Sequence, residues 1–69
     1  MNEKPVVYFL GNPLFYAIEL KDGTPTWQAT VYGLDHPRLG EGPIRTTALV
    51  SKPDSEQFET LNTIYRRKD

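Results

Sequence analysis

With 69 residues, no cysteine and a single histidine, the chain has room for one domain over residues 1–69, and disulfides, thiolate zinc sites and histidine-rich metal sites are excluded. A core this small is marginal by itself, so good packing or self-association into a homodimer remain as sources of extra stability. A net charge of -1, with acids and bases interleaved, argues against a dedicated nucleic-acid binder, which usually carries a basic stripe.

Val6 to Leu10 reads as a first strand, and Gly11-Asn12-Pro13 as the turn after it. The run is too short for a signal peptide's apolar region or a membrane span. Together with the absence of cysteine, that points to a cytoplasmic protein with no membrane partner. Leu14 to Leu20 is a second strand, with Leu14, Tyr16, Ile18 and Leu20 on one face and Phe15, Ala17 and Glu19 on the other. Lys21-Asp22-Gly23-Thr24 signals a hairpin built on Asp-Gly, the pair that suits a turn whose central residues need positive φ. Thr26 to Tyr32 alternates as a third strand, and Trp27, Ala29 and Val31 form its apolar face. On that pattern Trp27 is a core residue.

Gly33 to Pro43 reads as a long irregular loop, and long loops in compact domains often carry function. Ile44 to Ser51 is a fourth strand, with Ile44, Thr46, Ala48 and Val50 on one face, followed by a turn at Lys52-Pro53-Asp54-Ser55. The last segment is ambiguous. Phe58, Leu61, Ile64 and Tyr65 fall at helical spacing with acids first and bases last, yet Phe58 to Tyr65 is also rich in strand formers. The fold class expected is therefore all-β: a small five-stranded antiparallel meander, an SH3-like barrel or a bent sheet. The alternative is α+β, with a C-terminal helix from about Asp54.

Three elements could carry recognition. In His36-Pro37-Arg38, Pro37 pushes His36 toward extended backbone angles. His36, Arg38 and Arg45 could then recognise a carboxylate or a phosphate, since the arginine fork suits both. The bland reading is that His36 bonds a backbone carbonyl and Arg38 pairs with Asp35 or Glu41, closing the loop. Adjacent aromatics, Tyr8-Phe9 and Phe15-Tyr16, must place rings on both faces of a sheet, so some rings should meet solvent. Phe9, Phe15 and Tyr32 are the candidates for exposed contact aromatics. Third, Arg66-Arg67-Lys68 reads as a solvated end rather than a binding arm.

Catalysis is poorly supplied. Gly40-Glu41-Gly42 lacks the rest of a phosphate loop, and no serine stands in a nucleophile-elbow context. No cofactor is implied.

The pattern Tyr32-Gly33-x-x-His36-Pro37-Arg38-Leu39-Gly40, Arg45-Thr46-Thr47-x-x-Val50 and Phe58-Glu59-Thr60-Leu61-Asn62-Thr63-x-Tyr65 resembles small proteins of tailed-phage and prophage genomes. The likeness covers the second half of the chain. It implies a hairpin of the last two segments, which favours the strand reading of Phe58 to Tyr65, and it implies no activity. The expected function is a non-catalytic protein-interaction module, in the manner of a phage-encoded modulator of a host complex of anti-defence type. The alternative is a small β-barrel that binds single-stranded nucleic acid, with Arg38, Arg45, Arg66 and Arg67 meeting phosphates.

Overall fold

The computed structural model describes residues 4–68, and they form an all-β fold. The strands are β1 (Val6–Glu19), β2 (Pro25–His36), β3 (Gly40–Arg45), β4 (Gln57–Glu59) and β5 (Ile64–Arg67). No helix occurs among the described residues, so the C-terminal helix from Asp54 is ruled out in favour of strands. The sheet order is β3-β2-β1-β5-β4. Strands β1, β2 and β3 follow one another as an antiparallel meander, and β4 pairs antiparallel with β5. The meander breaks at β5, which lies parallel to the first part of β1, so the sheet is mixed.

The sheet curls over one core without closing into a barrel. Its two edges are joined by a single bridge between Leu49 and Thr60, beside a bond from Val50 N–H to Glu59 C=O of 2.9 Å. The core is Val7, Phe9, Ala29, Val31, Ile44, Leu49, Phe58 and Tyr65, drawn from every strand and from the chain just after β3. Phe58 is its hub. It lies 5.6 Å from the Phe9 ring, edge-on to Phe15 at 5.2 Å and stacked on Tyr65 at 5.2 Å. Such tilted and edge-on pairs are favoured beyond their burial alone.

The expected turn at Gly11-Asn12-Pro13 is instead a bulge inside one long strand. Phe9 and Leu10 pair with Gly33 and Tyr32, then Leu14 and Phe15 pair with Thr30 and Ala29, so three β1 residues face one of β2. Gly11, at φ 76, supplies the left-handed residue that the bulge needs. Two extra residues preserve the alternation, so Val7, Phe9, Phe15 and Ala17 share the core face of the sheet.

At the hairpin, Asp22 has no positive φ; only Gly23 does, at 86°. The loop is therefore the three residues Lys21 to Gly23, closed by Leu20 N–H to Thr24 C=O at 2.9 Å. The Asp22 carboxylate accepts from Thr24 N–H at 2.9 Å, and that bond holds its pKa below the ordinary value.

After β3 a one-residue insertion flips the expected faces. Thr46 N–H bonds Ala29 C=O at 2.8 Å, whereas Leu49 N–H bonds Trp27 C=O at 2.8 Å, so two residues intervene against one. The Thr46 hydroxyl takes the Ala29 N–H at 3.1 Å in place of a ladder carbonyl. Leu49 thereby enters the core, and Val50, expected on the same face as Ile44, is exposed. Trp27 is corrected too: at 42% exposure it lies at an open end of the sheet rather than in the core.

The final segment is not one strand but a tight hairpin. Thr60 N–H bonds Thr63 C=O at 2.9 Å, and the chain reverses through exposed Leu61 and Asn62.

Candidate functional site

Gly33 to Pro43, read from sequence as an irregular loop, is the end of a β-hairpin. Strand β2 continues to His36, and β3 begins at Gly40, directly opposite it. Gly33 sits where the strands close on the core: a Cβ there would overlap Ile44 Cδ1. A second bulge lies between Gly33 and His36, and Gly40 ends the three-residue turn at φ 70.

His36 closes this turn, by a different bond from the one expected. Its Nδ1 accepts from the backbone N–H groups of Arg38 and Leu39, each at 3.1 Å. The ring nitrogen occupies the place that an Asn or Asp oxygen takes in turns of this kind. Both bonds require an unprotonated Nδ1. The Arg38 side chain makes neither of the expected pairs with Asp35 or Glu41: among the described residues its guanidinium has no hydrogen-bond or ion-pair partner. Glu41 instead accepts from the Tyr32 hydroxyl at 3.0 Å on the outer face, which raises the pKa of that phenol.

The fold brings His36, Arg38 and Arg45 to one groove of about 630 Å³. Pro5, Pro37, Leu39 and Ile44 add apolar wall, and Thr47, Thr60, Asn62, Thr63 and Tyr65 add polar groups. None of the lining residues is acidic. The nearest glutamate on the β4–β5 hairpin, Glu59, is already neutralised by Lys4, whose Nζ lies 2.8 Å from its carboxylate and 3.1 Å from Thr60 C=O. Arg38 and Arg45 are both exposed, so their charge is available at the groove mouth. Tyr65 lies at the base, buried and stacked on Phe58, and burial pushes its phenol pKa upward. The sequence does not reveal the contribution of Thr60 to Thr63, because Phe58 to Tyr65 reads as one strand.

The aromatic candidates divide. Tyr32 is exposed, at 44%, as expected. Phe9 is not: it is fully enclosed, at 0%, because the β1 bulge keeps it in register with the core face opposite Gly33. Phe15 is only half-buried and packs its ring on Phe58. The outer face carries Tyr8, Leu10 and Tyr32 instead, with Leu10 directly across from Tyr32.

A second groove, of about 430 Å³, opens at the far end of β2 and is lined mainly by apolar residues, with Ala17, Trp27, Leu49, Val50 and Pro53 among them. Among the described residues no three His, Asp or Glu side chains cluster as metal ligands, and no helix is long and apolar enough to cross a membrane. Comparison with protein-family models, with curated proteins and with solved structures found no match to this chain.

Proposed function

We propose that the chain is a non-catalytic protein-interaction module that takes a carboxylate-bearing segment of a partner protein into the groove of His36, Arg38 and Arg45. The observation that carries this reading is the convergence of two exposed arginines on a concave wall without a single acidic residue, in a protein of net charge -1. The turn that presents Arg38 is held by His36 Nδ1, so the guanidinium starts from a rigid backbone. Pre-ordering of this kind lowers the entropic cost of binding. The same bonds occupy one nitrogen of the only histidine, and no carboxylate pairs with it among the described residues, which supports a binding role over general acid–base chemistry. The single-stranded nucleic-acid reading draws little support, because the groove's one Phe, Tyr or Trp ring, Tyr65, is buried against Phe58, and the His36 ring is tied to its own turn. The narrower proposal, a phage-type modulator of a host complex, rests on the resemblance of the second half of the chain.

Titration of the isotope-labelled chain with a glutamate-rich peptide tests this reading. The amides of residues 36, 38, 39, 47 and 60–63 should shift. Arg38→Ala with Arg45→Ala should weaken binding by about tenfold or more, as expected for loss of charge-assisted hydrogen bonds. Shifts confined to the outer face, or tighter binding to single-stranded DNA with a steep salt dependence, would contradict it.

A further inference from the structure

Strand β1 has neighbours on both sides only over its first part. Strand β5 covers Val6 to Phe9, while β2 runs alongside from Phe9 to Glu19. Beyond the bulge, no strand among the described residues lies on the side of β1 that β5 would occupy. The backbone phase there follows from two bonds. Leu20 N–H bonds Thr24 C=O, which puts the even-numbered groups of this half toward β2. Lys68 N–H bonds Phe9 C=O, which puts odd-numbered groups toward the β5 side. The N–H and C=O groups of Phe15, Ala17 and Glu19 therefore point outward with no strand to meet them. Pro13, with no N–H to leave unpaired, bounds this open edge at one end. Little blunts it: Leu14 to Glu19 holds no proline and no bulge, and its single charge, Glu19, stands at the end.

The edges elsewhere are defended. On β3, the bond from Thr46 N–H to Ala29 C=O sets residues 42 and 44 toward β2, so Pro43 faces outward and offers no donor. On β4, the Leu49–Thr60 bridge covers the end.

We infer that the open half of β1 pairs antiparallel with the same segment of a second copy, about a two-fold axis at Ala17. In that register Ala17 meets Ala17 and Phe15 meets Glu19, so every outward N–H and C=O of the three residues finds a partner. On the outer face Tyr16 meets Ile18 and Leu14 meets Leu20, which are apolar pairs; Leu14 is otherwise 67% exposed. The two Glu19 carboxylates lie at opposite ends of the paired segment. The register is self-complementary, with apolar pairs on the outer face and alanine against alanine at the axis, which favours a second copy over an unrelated strand.

The core face gives a second, independent fit. Ala17 pairs with Trp27, so the dimer sets Trp27, Ala17, Ala17 and Trp27 in one row across four strands. Ala17 also lines the apolar groove with Trp27, Leu49, Val50 and Pro53. The two grooves become one trough, and the small alanines at its centre leave room for both indoles. This assembly is independent of the basic groove, which lies at the other end of β2.

Sedimentation of the full chain from micromolar to millimolar concentration tests the inference, with emission of the sole tryptophan recorded alongside. The mass should rise from one chain to two, and Trp27 emission should shift to the blue as the dimer forms. Ala17→Pro removes an outward N–H that β2 does not use, and Ala17→Lys sets two like charges across the axis. Both variants should stay single-chain at every concentration, and Ala17→Lys should keep the wild-type circular dichroism. A wild-type chain that remains a monomer throughout, a dimer formed equally well by Ala17→Lys, or a dimer without a tryptophan shift would overturn it.

Discussion

The two ends of β2 present opposite solutions to the same problem. Near Gly33, each strand has neighbours on both sides or a hydrogen-bonded turn, and the space between them is filled by Val7, Phe9, Ile44, Phe58 and Tyr65. Several polar groups there are spent, Lys4 on Glu59, His36 on its own turn and Thr46 on Ala29, while Arg38 and Arg45 stay open at the groove mouth. Near Trp27 the β1–β2 ribbon is flanked only by the chain around Leu49, one edge of β1 is bare, and large apolar side chains stay half in water. A chain of 69 residues has apolar material enough to seal one end of a curled sheet, and the other end is left with surface that suits a further strand.

The contrast can be broken most strongly at the sealed end. Phe58→Ala removes the ring that Phe9, Phe15 and Tyr65 all touch, and should cost about 3–5 kcal/mol in denaturant unfolding. A loss below about 1 kcal/mol would mean the aromatic cluster is not the core. At the groove, His36→Ala should cost about 1–2 kcal/mol through its two lost bonds, while His36→Asn, whose oxygen can take the same N–H groups, should recover most of it. Equal losses in the two variants would assign the effect to packing. Alkali should act on the same end. Burial holds the Tyr65 phenol pKa above its ordinary 10.0, so the unfolded chain releases this proton first. Stability then falls as pH rises through about 10 and levels off above the folded value, and Tyr65→Phe should flatten that part of the profile. The smallest effect belongs to the open end: Trp27→Ala, measured in dilute solution, should cost about 1 kcal/mol, far below the loss at Phe58.

Trp27 also marks the limit of what was legible in the sequence. Period-two alternation placed Trp27, Ala29 and Val31 on one face, and they do share it; but alternation reports the face and not whether another layer covers it. The all-β class and the hairpin at Lys21–Thr24 followed from local chemistry. The strand boundaries did not, because Gly11-Asn12-Pro13 serves a bulge as readily as a turn, and only pairing with Thr30 and Tyr32 decides between them. Likewise Thr60 to Thr63 sets Asn62 among residues that a strand also accepts, and the reversal there is fixed by β5 docking parallel to β1, a contact across the whole chain. His36, Arg38 and Arg45 were readable as recognition residues by type, but their meeting with Thr60, Asn62 and Thr63 around one groove depended on that same long-range pairing.

Amide hydrogen exchange of the dilute chain, read residue by residue along β1, tests the sealed-and-open account most directly. Val7 and Phe9 should be protected. Beyond the bulge, protection should alternate, with Tyr16 and Ile18 slow against β2 and Phe15, Ala17 and Glu19 fast at the bare edge. Uniform protection from Val6 through Glu19 in a single-chain species would show that both sides of β1 are covered, and would contradict it.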